Sequence, residues 1–103
     1  MKKLSTDEQI VLFNIPEGKK NAISRTALAA GAGYSDRTIR RIIAQLQEKG
    51  YMICNLSGGA GYFIALDPDD VSDYYRQEKA RAVSIFKRLR PMRNYLRREG
   101  RAV

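Results

Sequence analysis

Apolar positions recur with helical spacing in four stretches of the chain. The first runs from Ser5 to about Ile15, and the second runs from Arg25 to about Ala30. The third runs over 36–49, between a capping serine and Gly50, and its apolar residues have the 3, 4 and 7 spacing of one buried helix face: Ile39, Ile42, Ile43 and Leu46. Serines at the expected N-cap positions precede the first three helices: Ser5, Ser24 and Ser35. For the first helix we expect an apolar face made by Ile10, Phe13 and either Leu12 or Val11.

Two short aromatic and aliphatic runs follow the third helix. They cover 51–56 and 62–66, and Ser57-Gly58-Gly59-Ala60-Gly61 joins them, which predicts a β-hairpin with a five-residue tip. Cys54 alternates with its neighbours and is predicted to be a half-buried strand residue. These elements predict an α+β, mostly α fold: one domain over residues 1–66, followed by a basic C-terminal helix in 67–103.

That last helix carries a long apolar stripe with a strict 4-3-4-3 spacing. The stripe contains one charged residue, Glu78, and its members are Val71, Tyr75, Glu78, Ala82, Ile85, Leu89, Met92 and Leu96. Pro91 removes a backbone donor, so we expect a kink or break near Leu89–Arg90. One interpretation is that the stripe packs on the first helix and completes the core. The other is a homodimer in which Ile85, Leu89, Met92 and Leu96 meet a partner helix.

Charge is distributed unevenly along the chain. The net charge is +8, but residues 1–75 hold nine basic and nine acidic side chains, so the excess lies in residues 76–103. A basic segment of this kind favours an anionic partner, most commonly nucleic acid, over a merely solvated helix face.

Several function classes lose support from composition. The chain has no histidine and a single cysteine, so an internal disulfide and His/Cys metal sites are excluded. We see no catalytic constellation, and therefore expect no enzyme activity, cofactor, metal ion or small-molecule ligand. No apolar run approaches the roughly 18 residues of a membrane span, and the polar N-terminus is unlike a signal peptide. We expect a cytoplasmic protein with no membrane partner.

The second and third helices and the turn between them carry the functional prediction. Two helices joined by a glycine-containing turn form a helix-turn-helix, whose second helix enters the major groove of DNA. Leu28, Ala32 and Tyr34 can pack beneath the third helix, and Gly33 lies at the turn. The polar residues at the start of that helix lie where base edges would be: Arg37, Thr38, Arg40 and Arg41. The alternative for these arginines is a solvated helix face.

The segment from Ser24 to Leu46, SRTALAAGAGYSDRTIRRIIAQL, resembles the helix-turn-helix of winged-helix DNA-binding domains, most closely the DeoR-like and biotin-repressor-like types. The following EKGYMICNLSGGAGYFIAL resembles their wing hairpin, and the size and layout are similar to short winged-helix proteins of phages and mobile elements. The resemblance covers roughly residues 5–66. It implies a three-helix core with a β-hairpin wing, to which this chain adds a C-terminal helix.

The resemblance also implies roles for individual residues. Ser35 and Arg37 would touch phosphate or base edges, Thr38 and Arg41 would face the groove, and Arg40 and Gln45 would flank it. Two features depart from the pattern. The wing tip carries no lysine or arginine, and the first 66 residues have nine basic and five acidic side chains, a weak excess for a DNA reader.

These observations favour sequence-specific binding of double-stranded DNA, as expected of a bacterial or phage transcriptional regulator acting as a homodimer. Two alternatives remain at this point. One is a replication or recombination accessory protein of a phage or mobile element, whose basic helix would add non-specific DNA affinity or recruit a partner. The other is a winged helix that has lost DNA binding and contacts proteins.

Overall fold

Four α-helices and a β-hairpin make up the structure, a computed structural model that describes residues 3–103. The architecture is α+β and mostly helical, as predicted. The helices are α1 (Thr6–Phe13), α2 (Arg25–Ala32), α3 (Asp36–Glu48) and α4 (Pro68–Arg98); the strands are β1 (Ile53–Asn55) and β2 (Tyr62–Ile64), and a 3₁₀ turn covers Lys19–Asn21. None of the helices in the described part of the chain is both long enough and apolar enough to cross a membrane.

The predicted helix starts are confirmed by their caps. Each capping serine accepts a hydrogen bond from the backbone N–H three residues later: Ser5 from Glu8, Ser24 from Ala27 and Ser35 from Thr38. At the start of α1 the bond is reciprocal, because the Ser5 N–H donates to Oε1 of Glu8 over 2.8 Å, which is a capping box. At the other end of α2, Gly33 has φ +79°, a conformation in which other residues are strained.

The core forms where α1, α2 and α3 meet the hairpin. The predicted α3 face is confirmed, since all four of its members are buried together with residues from every neighbouring element: Val11, Ile15, Leu28, Ile53 and Tyr62. The predicted α1 face is wrong in two members, because Ile10 is 37% exposed and Phe13 is 91% exposed. Val11 and Ile15, four residues apart, face inward instead, and Phe13 lies between them on the opposite side of the helix.

The hairpin is the centre of a small sheet. β1 and β2 pair antiparallel, with Ile53 opposite Ile64 and Cys54 opposite Phe63. The free edge of β2 is covered by the chain before α2, because Ile23 and Tyr62 exchange N–H···O bonds of 2.9 and 2.8 Å. The strands are shorter than predicted. Cys54 is buried rather than half-buried, since the start of α4 covers this side of the hairpin.

The α2 helix is longer than predicted and contains Gly31, which was expected to end it. Gly31 lies against α1: a Cβ on it would be 3.1 Å from Oδ1 of Asn14. The Asn14 side chain is held there because its Nδ2 donates to the Ile10 carbonyl over 2.8 Å. The glycine therefore permits the close approach of two helices.

The α4 helix is continuous through Pro91, so the predicted break is absent. Proline removes only the hydrogen bond to the Lys87 carbonyl, and the turns on either side remain helical; a kink without a break stays a prediction. The helix ends in a Schellman motif, in which Gly100 has φ +72° and the Arg101 N–H donates to the Leu96 carbonyl over 2.8 Å.

Only the first half of α4 touches the rest of the molecule. No residue of α4 is buried, and residues 80–98 are exposed except for half-buried Leu96. A helix of 31 residues is about 46 Å long, and the molecule measures 50 Å along its longest axis. The stripe therefore does not complete the core by packing on α1; its second half projects from the body.

Candidate nucleic-acid interface

The α3 helix presents one buried face and one open face. Its buried face lies over α1 and α2, and its C-terminal end is tied to α1 by Lys49, whose Nζ lies 2.6 Å from Oε1 of Glu8. The carboxylate of Glu8 is buried, and the bond from Lys49, followed by that from the Ser5 N–H, holds its pKa below the ordinary value. The orientation of α3 is thus set at both ends, by a serine cap and by an ion pair.

Arg37 and Arg41 lie on the open face of α3. They are four residues apart, and helical periodicity places them opposite buried Ile39 and Ile42. Both are exposed, and neither forms an ion pair with any residue in 3–103. Two guanidinium groups that form no ion pair within residues 3–103 therefore lie one helical turn apart, on the side of α3 that faces away from the core.

Arg40, unlike Arg37 and Arg41, forms an ion pair within the protein. Its guanidinium lies 3.0 Å from the Asp36 carboxylate one turn earlier, and Arg25 of α2 forms a second ion pair with the same carboxylate. This small network joins the first residues of α2 and α3. Arg40 therefore lies beside the open face, and its role in flanking the DNA groove stays a prediction. The participation of Arg25 was not predicted from the sequence.

Ser35 and Thr38 form two hydrogen bonds with each other at the start of α3. The Thr38 N–H donates to Ser35 Oγ over 3.2 Å, and the Ser35 hydroxyl donates to Thr38 Oγ1 over 2.9 Å. The one hydroxyl hydrogen of Ser35 is therefore used inside the protein. Gln45 is half-buried and lies seven residues after Thr38, on the same flank of the helix.

The hairpin tip, Ser57 to Gly61, is exposed except for half-exposed Gly61, and it is fixed to α4. The side-chain oxygen of Gln77 accepts from the Ser57 N–H over 2.7 Å, and its amide nitrogen donates to the Asn55 carbonyl over 3.0 Å. The sequence contained no signal for this bridge, since it links positions twenty residues apart by a single polar side chain.

Lys19 and Lys20 lie beside the same tip. The 3₁₀ turn that carries them borders a depression of about 490 Å³ whose far side is Gly59, Ala60 and Gly61. This proximity was also missed, because the turn and the tip are about 40 positions apart and meet through the pairing of the turn's flanks with β2, Gly18 with Ile64 and Ile23 with Tyr62.

The second half of α4 exposes apolar side chains among basic ones. Ile85, Leu89 and Met92 are 43%, 46% and 58% exposed, and Phe86 beside them is 70% exposed. Leu96 is half-buried beside Val103 in a depression of about 390 Å³. The four residues predicted to form a dimer contact thus lie on one unpartnered face.

The lone cysteine has the environment of a structural residue. Burial raises the pKa of the Cys54 thiol, and the nearby Asp70 carboxylate raises it further. Cys54 borders a groove of about 440 Å³ between β1 and α4, together with Met52 and Tyr75. Because the nucleophilic form of cysteine is the thiolate, this position is unsuited to nucleophilic chemistry.

Comparison of the chain with protein-family models, with curated proteins and with solved structures gives no significant match.

Proposed function

We propose that this protein binds double-stranded DNA in a sequence-specific manner as a winged-helix transcriptional regulator, with α3 as the recognition helix and the hairpin as the wing. The observation that carries the proposal is the presence of two exposed arginines, Arg37 and Arg41, on the open face of α3, neither of which forms an ion pair within residues 3–103. The order of elements supports it: two helices joined by a three-residue turn are followed by a hairpin that packs beside them.

The dimensions of α3 suit the major groove. An α-helix with side chains is about 10–12 Å across, and the major groove of B-DNA is about 12 Å wide. Arg37 lies in the first turn of α3, the part of a recognition helix that meets base edges. A bidentate arginine–guanine pair discriminates between bases by about 1–3 kcal/mol, so these two side chains can set a sequence preference.

The second part of the proposal is that the protein acts as a homodimer through α4. The face that contains Ile85, Leu89, Met92 and Leu96 has no partner within the described chain, and burying it against an identical face removes apolar surface from water. Two copies would present two α3 helices to half-sites about 34 Å apart on one face of DNA.

Charge favours an antiparallel arrangement of the two α4 helices. Residues 67–81 hold five acidic and three basic side chains, whereas 82–98 hold six basic and no acidic ones. Parallel helices would place the two basic halves side by side and bring Glu78 near its own copy. Antiparallel helices that meet through residues 85–96 still place the basic halves together, but they bring the basic end of each helix near Glu78 of the other.

A second candidate function is supported by the same basic half. Six arginine and lysine side chains without an acidic neighbour can neutralise DNA phosphates irrespective of sequence. A protein that used this surface would bind DNA with weak sequence preference, as an accessory factor in replication or recombination would.

Selection of duplexes from a random pool, followed by titration at two salt concentrations, tests the DNA proposal. The wild type is compared with Arg37→Ala/Arg41→Ala and with Arg90→Ala/Arg98→Ala, which removes the same charge from α4. We expect the wild type to enrich one motif, the α3 variant to lose that preference, and the α4 variant to keep it. Loss of affinity only in the α4 variant, without an enriched motif, favours the accessory function. No binding by the wild type at low salt refutes both and leaves a protein-interaction module.

Sedimentation equilibrium tests the dimer separately. Leu89→Asp places a charge at the centre of the stripe, and Ser84→Asp places the same charge outside it. We expect a dimer for the wild type and Ser84→Asp, and a monomer for Leu89→Asp. A monomeric wild type at micromolar concentration would refute the dimer while leaving DNA binding by α3 to its own test.

A further inference from the structure

The 3₁₀ turn before α2 carries two exposed lysines, Lys19 and Lys20, that are not part of the recognition helix. We infer that Lys19 and Lys20, together with the hairpin tip, form a second contact with the DNA backbone, in which two ammonium groups and exposed tip N–H groups bind phosphates. This inference rests on the proposed DNA binding and identifies a contact outside α3.

The lysines are held beside the tip by backbone hydrogen bonds on both sides of the turn. Before the turn, the Gly18 N–H donates to the Ile64 carbonyl over 2.9 Å; after it, Ile23 pairs with Tyr62. The turn therefore follows β2 toward the tip, and Lys19 and Lys20 face Gly59 and Gly61 across one depression.

Both ammonium groups are available to an external anion. Lys19 and Lys20 are exposed, and neither forms an ion pair with an acid among residues 3–103, including Glu17 in the same loop. Asp73, which lies near Lys19 around an adjacent depression, is paired with Arg76 over 3.5 Å.

The tip supplies neutral donors. Gly58 and Ala60 are exposed residues, and their N–H groups donate to no acceptor within the described residues, in contrast to those of Ser57 and Gly59. Small residues let a phosphate approach the backbone closely. The absence of basic side chains from the tip is therefore offset by two lysines that come from another loop.

The tip is connected to the start of α3 through the first residues of α2. Gly61 packs against the backbone of Ile23 and Ser24, and the next residue, Arg25, is paired with Asp36 at the first position of α3. A single short segment thus separates the lysine-flanked tip from the recognition helix. One DNA molecule can contact α3 in the groove and the tip on the adjacent backbone.

The test is the salt dependence of DNA affinity in Lys19→Gln/Lys20→Gln. The matched control is Lys3→Gln/Lys79→Gln, which removes two exposed lysines that lie outside the turn, α3 and the basic half of α4. The probes are the duplex that the wild type selects and a scrambled duplex of the same length. Each phosphate contact contributes about 0.9 to the slope of log affinity against log salt, so we expect the slope to fall by about two in the turn variant.

The affinity of the turn variant should fall by the same factor on both duplexes, because phosphate contacts carry no sequence information. Lys19→Arg/Lys20→Arg should retain the slope, and the amide resonances of Gly58 and Ala60 should shift when the wild type binds DNA. An unchanged slope, or a loss equal to that of the Lys3→Gln/Lys79→Gln control, overturns the lysine contact alone. A wild type that binds neither duplex at low salt overturns the proposed function as well, which separates the two failures.

Discussion

Lys49 and Glu8 join the end of α3 to the start of α1 across 41 positions of sequence, with Nζ 2.6 Å from Oε1. The same carboxylate accepts the Ser5 N–H, so one buried acidic group caps a helix and positions its neighbour. Burial of a charge is costly unless the charge is paired and hydrogen-bonded, and Glu8 meets both conditions.

The pKa of Glu8 is lower in the folded chain than its ordinary value, so the contact stabilises the fold at pH above the unfolded carboxyl value of about 4.3. This stabilisation is lost as the pH falls through the lowered value. We expect Glu8→Gln to reduce the urea midpoint at neutral pH and to flatten its decline in acid. Glu48→Gln, which changes an exposed glutamate that forms no ion pair in residues 3–103, is the control. Parallel curves for Glu8→Gln and the wild type would contradict this prediction.

Ser35 is predicted to act in binding chiefly through the fold of α3. Removing an N-cap hydroxyl costs about 1 kcal/mol, so Ser35→Ala should lower the free energy of unfolding by that amount, as Ser24→Ala should for α2. Ser35→Asp keeps the cap but adds a negative charge where α3 is proposed to meet DNA. We expect it to be as stable as the wild type in thermal unfolding and to bind DNA more weakly. If Ser35→Asp binds DNA as tightly as the wild type, the start of α3 does not lie near the DNA phosphates.

Asp36 neutralises part of the positive charge beside the proposed DNA interface. Asp36→Asn leaves Arg25 and Arg40 without their anionic partner. We expect higher DNA affinity and a steeper salt slope in titrations, with at most a small loss of stability, since exposed ion pairs contribute about 0–1 kcal/mol. Asp73→Asn, which releases Arg76 on α4, is the matched control. Equal gains in the two variants would indicate a general effect of net charge.

Gly61 is predicted to be the least replaceable residue of the hairpin. It has φ +132°, and a Cβ on it would overlap the carbonyl of Ile23, whereas Gly58 has φ +77° with open space around it. Gly58→Ala should cost about 1–2 kcal/mol from backbone strain alone. Gly61→Ala should cost roughly 3 kcal/mol or more, because the edge pairing with Ile23 must also shift. Equal costs in urea unfolding would refute the close approach.

Gln77 is predicted to control the local stability of the hairpin. Gln77→Ala removes a donor and an acceptor, and each hydrogen bond contributes about 0.5–1.5 kcal/mol. Hydrogen exchange of the Ser57 amide should accelerate, while that of core amides in α3 changes little. In Gln77→Glu the acceptor for Ser57 remains and the donor to Asn55 is lost, so we expect an intermediate effect. Unchanged exchange at Ser57 in Gln77→Ala would contradict the bridge.

Local signals in the sequence predicted the local structure well. Ser35 and Gly50 bounded α3 within a residue, and the spacing of Ile39 to Leu46 identified its buried face, because caps and periodicity act over a few residues. The wrong prediction that Ile10 and Phe13 face the core has a physical origin as well. A short helix offers several apolar residues, and only the packing of α2 and α3 decides that Val11 and Ile15 face inward.

Long-range contacts could not be predicted in this way. Nothing in the sequence placed Lys19 and Lys20 beside the hairpin tip, or Gln77 against Ser57, because these contacts depend on how the sheet and α4 assemble. The state of Arg37, Arg40 and Arg41 was similarly open. The resemblance gave these three arginines different roles but did not identify their ion pairs. Only Arg40 has an acidic residue one helical turn before it, Asp36, and the two form an ion pair.

The Gln77 bridge gives α4 a mechanical role. Because both ends of one amide are fixed to the hairpin, a displacement of α4 reaches the tip through two hydrogen bonds instead of through the intervening loop. The half of α4 that projects from the body is therefore coupled to the hairpin through one side chain. In the proposed dimer, a subunit that moved α4 near Leu96 would change the position of the hairpin beside α3.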